Sequence, residues 1–276
     1  MRKFLVYSCL CVLVLASACN REMHRIEKSG DPEKKLEYAN KLFDKKKFAT
    51  AQQLYEELRP VYKGTDKFED INYRNAYCSY NLKDYVQGAF LFKNYLEAFP
   101  NSPRAQEVDY MQAYCYYKQS PKVPLDQTNT IKAIAALQTF INEFPNGDKV
   151  PEANLLIELC RKKLEQKEFN AAELYFNLGY YKAAGIAFKS LMRNYPDSDK
   201  SDGYKLYSIR AYYRYAQNSI PEKQMERYKQ VLTEYMDFND HYGNSKLKPD
   251  AEKYYALAQN NIKNLEHEQN KEKSNQ

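Results

Sequence analysis

Three prolines punctuate the middle of the chain, and the residues ahead of them repeat in register. The turns read Phe99-Pro100-Asn101-Ser102, Phe144-Pro145-Asn146-Gly147 and Tyr195-Pro196-Asp197-Ser198. Proline ends the helix behind it, and Asn or Asp followed by a small residue favours a turn or the next N-cap. Ahead of Pro100 stand Gly88, Phe92, Tyr95 and Phe99. Ahead of Pro145 stand Ala133, Leu137, Phe140 and Phe144, and ahead of Pro196 stand Ala184, Phe188, Leu191 and Tyr195. All three sets lie 12, 8, 5 and 1 residues before the proline. That spacing puts them on one helix face, with the small residue where two helices approach closely and the large ones along the seam.

The partner helices carry the same mark. Ala39, Ala76 and Ala172 each lie 12 residues before the small residue of the next helix: Ala51, Gly88 and Ala184. In the third copy Ala113 and Ala133 are 20 apart, and the eight extra residues surround Ser120-Pro121-Lys122-Val123-Pro124. This predicts a proline-broken loop between two helices. Pro151 to Glu168 reads as a helix running on towards Ala172 without a break signal. A degenerate fifth copy covers Asp202 to Phe238, with Tyr228 and Tyr235 in the large slots.

The spacing resembles the tetratricopeptide repeat. The expected fold is all-α: a right-handed solenoid of about five helix pairs plus a C-terminal helix. The expected division is a signal peptide over 1–18, a lipidated linker over 19–32 and a repeat domain over 33–268. Within that domain the repeats fall at 33–66, 67–102, 103–150, 151–200 and 201–240, with a closing helix at 249–267. Residues 269–276 form a polar, disordered tail.

The N-terminus reads as a secretory signal. Met1-Arg2-Lys3 is basic, Phe4 to Leu15 carries no charge, and Ala16-Ser17-Ala18-Cys19 follows. The apolar run is too short for a comfortable membrane span. The last four residues resemble a bacterial lipobox, which makes Cys19 the lipidation site; Leu15 lies one place ahead of the lipobox slot that Ala16 fills. The other reading is an ordinary signal cleaved near Ala18. Cys78, Cys115 and Cys160 remain. They form neither a disulfide framework nor a zinc pattern and read as buried thiols acting as small hydrophobes.

Two features count against nucleic acid. The formal net charge is +6, of which two charges, Arg2 and Lys3, belong to the signal. The remaining basic residues are interspersed with acidic ones, as on a solvated helix surface. No catalytic constellation is present. His24, His241 and His267 are assigned to the linker, a loop and the end helix, without ligand or triad partners. There is no phosphate-binding glycine loop, and no cofactor or metal is expected.

The binding candidates come from repeat register. The first helix of each pair lines the hollow of such a solenoid. Its slots are Leu36, Asn40 and Phe43; Asp70, Tyr73, Tyr77 and Tyr80; and Glu107, Tyr110, Tyr114 and Tyr117. Two readings stand at this point: tyrosines packing between repeats, or tyrosines lining a peptide groove. Tyr suits a half-exposed interface better than a pure core does, because its ring is apolar and its tip polar.

From Ala39 to Tyr235 the order of motifs resembles the BamD family, lipoproteins of the outer-membrane β-barrel assembly machinery. The resemblance rests on the lipobox ending at Cys19, the proline turns, and Leu125-Asp126-Gln127-Thr128 ahead of Ala133. It rests most on the run Lys163, Leu164, Phe169, Ala172, Tyr175, Phe176, Gly179, Tyr181, Ala183, Ala184, Phe188. It implies a non-enzymatic scaffold lipid-anchored to the outer membrane and facing the periplasm. It also implies docking on a BamA-like barrel-forming partner and binding of unfolded outer-membrane proteins. Two other classes of envelope protein share such repeats. A SusD-type nutrient-binding lipoprotein is disfavoured by the short chain and the absence of Trp. A Tol-associated envelope coordinator is disfavoured because 20–32 is too short for a coiled coil.

Overall fold

The computed structural model describes residues 30–274, with side chains as far as Lys271. The signal segment, Cys19 and His24 lie outside the described residues. Among these residues there are eleven α-helices and no strand: α1 Pro32–Asp44, α2 Phe48–Tyr62, α3 Lys67–Asn81, α4 Tyr85–Ala98, α5 Ala105–Gln119, α6 Thr128–Glu143, α7 Val150–Asn177, α8 Tyr181–Asn194, α9 Ser201–Gln217, α10 Pro221–Tyr242 and α11 Lys248–Ser274. The chain forms two compact units, one ending at Cys160 and the other beginning at Arg161, so the boundary falls inside α7.

In the first unit each helix from α1 to α5 packs on the next in chain order. The register residues explain why. Ala39, Ala51, Ala76, Ala113 and Ala133 are all buried. At Gly88 an added Cβ would stand 3.2 Å from Cys115 Sγ, so the smallest residue lets α4 and α5 close. Phe92, Tyr95, Leu137 and Phe140 fill the seams between them. Burial pushes the thiols of Cys78 and Cys115 up to about 12. They are protonated and inert at neutral pH, which matches their reading as small hydrophobes.

The second unit repeats the pattern with the remainder of α7 and with α8 to α11. Ala172 and Ala184 are buried in a cluster with Phe188, Leu191, Tyr204 and Ala211. Gly185 faces Tyr212, whose ring would lie 2.9 Å from an added Cβ. Tyr228, Val231 and Phe238 of α10 bury against Ala251, Ala258 and Ile262 of α11. The last helix continues to Ser274 rather than ending near His267, so residues 269–274 of the expected disordered tail are helical. His241 sits in the last turn of α10, not in a loop, and its Nδ1 lies 2.9 Å from the Asp237 carbonyl.

Two local devices recur between repeats. The first is the turn inside a helix pair. Lys46, Lys83 and Gly179 each stand five residues before the small residue of the second helix, and each has positive φ: 57°, 64° and 81°. Glycine adopts that conformation freely, whereas lysine pays about 1 kcal/mol for it. The second is the proline turn. Ser102 Oγ accepts from Arg104 N (3.0 Å) and donates to Glu69 Oε1 (2.7 Å), which also accepts from Tyr95 (2.6 Å). Thirty-three residues likewise separate Ser198 from Glu165. Ser198 Oγ accepts from Lys200 N and donates to Glu165, which takes the Tyr204 hydroxyl at 2.8 Å. In the third repeat Gly147 replaces the serine. A Cβ there would meet Gln106 Nε2 at 2.2 Å, so the longer amide occupies the space.

The eight-residue insertion of the third repeat is also ordered from within. Gln127 Nε2 donates to the carbonyls of Lys122 (2.9 Å), Leu125 (3.1 Å) and Val123 (3.3 Å). Its Oε1 accepts from Thr130 Oγ1 at 2.6 Å.

The Tyr95 and Ser102 hydroxyls hold the Glu69 carboxyl below its ordinary value of 4.5. A depressed folded value gives stability that is complete above the unfolded value and is lost as pH falls through the folded one. Glu69→Gln is therefore expected to flatten the acid limb of stability against pH below about 4.5 while changing the alkaline limb little. Equal acid limbs in urea melts of the two proteins would contradict this.

Candidate functional site

The first helices of the three opening pairs bring most of the sequence-derived candidates onto one face of the first unit. On α1, Asn40 Oδ1 accepts the Tyr55 hydroxyl at 2.8 Å. Phe43 stands edge-on to Phe48, with ring centres 5.5 Å apart, and lies under the Arg74 guanidinium at 5.1 Å. Leu36 belongs instead to the core beneath, packed with Leu54, Leu58 and Ile71. Tyr110 is likewise a core residue, against Phe140 and Leu137, and so is a correction to the groove assignment. Both lie on the correct helix but rotate inward, because each must cover the second helix of its own pair.

The other tyrosines form a connected run of rings. Centre-to-centre distances are 4.7 Å for Tyr73–Tyr77, 6.3 Å for Tyr77–Tyr80, 6.2 Å for Tyr80–Tyr114 and 5.8 Å for Tyr114–Tyr117. Each of the five is half-buried, with one side on the core and the other in solvent. The exposed Glu107 accepts from the hydroxyls of both Tyr73 (2.9 Å) and Tyr77, tying α3 to α5 across the face. Burial first, and then that carboxylate, raise the Tyr73 and Tyr77 hydroxyls above their ordinary value, so both stay protonated donors.

A charged cluster borders the run. Asp70 pairs with Arg74 (2.7 Å) and with Arg104 (3.0 Å), and Arg104 stacks 4.3 Å over the Tyr73 ring. Repeat register found Asp70 but missed both arginines. Arg74 sits on the flank of the helix, and Arg104 precedes α5. At the other end Lys118 lies over the rings of Tyr114 (5.7 Å) and Tyr85 (5.8 Å).

Sequence reading also missed a groove in the second unit. Tyr180, Tyr181, Ala183, Ile186 and Tyr215 wall it, with Gly179 and Lys182 at its edge. Tyr180 and Ile186 are exposed, as are the neighbours in sequence Leu174 and Leu178. Arg227 stacks 4.1 Å over Tyr215. Arg210 covers Phe176 at 5.5 Å, whose ring is 5.3 Å from Tyr181. The result is an apolar surface edged by cations. The signal for it was present in the run of large apolar residues on both sides of Gly179.

Paired helices with buried small residues at fixed register, ended by proline turns, define a helical repeat protein of the tetratricopeptide kind. The arrangement leaves half-exposed aromatic surfaces on the first unit. The model of the family described as YfiO, outer membrane lipoprotein, matches residues 30–224, and the chain belongs to that family. A putative outer membrane protein assembly factor BamD of Aquifex aeolicus is 26% identical over 194 residues, covering 70% of this chain and 60% of that protein. Outer membrane protein assembly factor BamD of Caulobacter vibrioides is 26% identical over 137 residues, covering 50% of this chain and 45% of that one. The chain thus covers less than two thirds of the length of either relative. Among solved structures, the TPR2AB domain of yeast Sti1 in complex with pHSP90 aligns over 83% of this chain and 98% of that chain. Its identity is 14% and its TM-score 0.40. Among the described residues no helix is long and apolar enough to cross a membrane.

Proposed function

We propose that this chain is a non-catalytic scaffold of outer-membrane β-barrel assembly, anchored to the outer membrane through lipid on Cys19 and facing the periplasm. It docks the BamA-like barrel-forming subunit and binds unfolded segments of outer-membrane proteins. Family membership supports the general role. The observation that carries the client-binding half is the unbroken run Tyr73, Tyr77, Tyr80, Tyr114, Tyr117. Half-exposed tyrosines present large rigid rings with few rotatable bonds, and their hydroxyls can pair with peptide backbone groups. An extended, aromatic-bearing strand from an unfolded barrel can lay its side chains against such rings. Docking is assigned to the second unit, where the groove of Tyr180, Ile186 and Tyr215 with its flanking cations suits a partner presenting apolar and acidic groups.

Truncating a central aromatic at an interface commonly costs 1–2 kcal/mol or more. Tyr77→Ala with Tyr114→Ala is therefore expected to weaken binding of an aromatic-bearing barrel-strand peptide at least tenfold, with helicity by circular dichroism unchanged. Unaltered affinity on an intact fold would remove the groove assignment. Palmitate labelling that persists in Cys19→Ala would remove the anchor.

A further inference from the structure

In the first unit the turns inside helix pairs differ from the turns between pairs. Leu82 is exposed in the turn from α3 to α4, and Val86 and Phe90 follow one helical turn apart on α4, 69% and 56% exposed. Leu125 of the insertion and Ile131 of α6 are each 57% exposed. Side chains tie these segments together at one end of the unit. Gln119 Nε2 donates to the Tyr85 carbonyl at 3.0 Å, and Lys118 lies over the Tyr85 ring. The Ser120 and Thr130 hydroxyls meet at 2.6 Å. Single exposed apolar residues are ordinary, but several gathered on linked segments mark an interaction surface. The turns between pairs, 63–66, 99–104 and 144–149, expose no large apolar side chain; Phe99 and Phe144 turn into the core clusters.

The charges divide in the same way. Lys83, Lys118, Lys122 and Lys132 are exposed at the apolar end. Among the described residues none of the four has a carboxylate within salt-bridge distance. The acids beside them serve the backbone: Asp84 accepts from Gln87 N and Asp126 from Thr128 N, each at 3.0 Å. At the opposite end Lys67, Arg104 and Lys149 are each paired with a carboxylate. Lys83 also holds its positive φ where the equivalent turn of the second unit has Gly179, so a cation stands where glycine would relieve the backbone.

Aliphatic side chains and a phenyl ring fringed by lysines are the chemistry of a surface that lies on a membrane. The apolar groups enter the boundary of the acyl region, and the ammonium groups reach the lipid phosphates. A protein partner fits less well, because protein interfaces are depleted in Lys and enriched in Tyr and Arg. Those residues mark the tyrosine run and the second-unit groove instead. We propose that this end of the first unit, centred on Lys83, Val86, Phe90 and Lys122, rests on a bilayer surface containing anionic phospholipid. The contact is separate from the acyl anchor, so palmitate labelling at Cys19 and the binding described next can fail independently.

The test uses residues 20–276 without acyl chains, which keep every described residue, and follows co-sedimentation with vesicles. Partitioning onto phosphatidylglycerol mixed with phosphatidylcholine is expected to exceed that onto phosphatidylcholine alone by about tenfold, and to fall as salt rises. Each lysine at an anionic surface contributes about fivefold. Lys83→Gly with Lys122→Gln is therefore expected to lose about tenfold or more, with a melting temperature no lower than that of the parent. Val86→Ser with Phe90→Ser, both exposed, is expected to lose about tenfold with helicity unchanged. Lys63→Gln with Lys149→Gln removes the same charge from the opposite end and is expected to lose less than about twofold. Equal partitioning onto the two vesicles, or equal losses from the two lysine pairs, would overturn the proposal. So would poly-glutamate binding as tight as that of the anionic vesicles, which would assign this end to an acidic protein.

Discussion

Phe92→Ala is expected to destabilise the first unit by about 3–5 kcal/mol, the usual cost of deleting a buried phenyl ring from a packed core. Phe92 is fully buried in the cluster that joins α4 to α3 and α5. Its ring stands edge-on to Tyr77 at 5.2 Å. Tyr77 in turn touches Tyr73 and Tyr80. The cavity therefore opens directly beneath the middle of the tyrosine run, and the same substitution is expected to weaken client-peptide binding under conditions where the protein is still folded. Phe90 supplies the control. It lies two residues earlier on the same helix and is 56% exposed, so Phe90→Ala is expected to change stability by less than about 0.5 kcal/mol. Urea melts of the two variants decide the matter. Similar midpoints would mean that α4 is rotated away from the arrangement described, and the backing of Tyr77 would be lost with it.

The contrast between Phe90 and Phe92 was legible in the sequence, because only Phe92 falls on the shared offset before Pro100. The buried alanines were legible for the same reason: a repeat states its own register several times. The 28-residue α7 was legible because no break signal stands between Pro151 and Ala172. The tyrosine face was legible only as a set of helix positions. Register placed Leu36 and Tyr110 beside Tyr73 and Tyr77, but a helix face is about 100° wide and its edge residues can turn either way. Only packing decides, and it took those two into the core. What the sequence concealed was polar and distant. Glu69 and Ser102 lie 33 residues apart, and neither looks unusual alone. Gln127 is the local counterpart: it stood in the sequence only as part of the motif ahead of Ala133, and its side chain holds three carbonyls of the loop just before it. The second-unit groove was hidden by expectation, since large apolar residues next to a repeat turn are normally assigned to the seam.

Lys205 and Glu234 make the strongest case of this kind. They lie 29 residues apart on α9 and α10, and nothing in either helix marks them. Their side chains are 2% and 6% exposed, and they meet at 2.5 Å. Each has a second partner nearer to solvent: Lys205 contacts Asp237, and Glu234 accepts from Lys189 at 2.8 Å. Breaking a buried pair by removing one member usually costs 3–5 kcal/mol, because the other charge stays buried without compensation. The second partners soften that penalty here. Lys205→Met is therefore expected to cost about 2–4 kcal/mol, and Glu234→Leu a similar amount. The double variant should recover much of the loss, since two apolar side chains of similar volume avoid the desolvation that the charges suffer. A coupling of about 1–3 kcal/mol between the two sites is the expected signature. Additive losses in denaturant melts would mean that the pair is solvated in solution and that α9 and α10 are joined by their apolar contacts alone. Recovery in the double variant would locate the value of the charges elsewhere, in fixing which faces of these two helices meet. That role suits the degenerate fifth repeat, where α9 and α10 carry the register of the earlier repeats only in part, and where Lys205 lies within the family match and Glu234 beyond it.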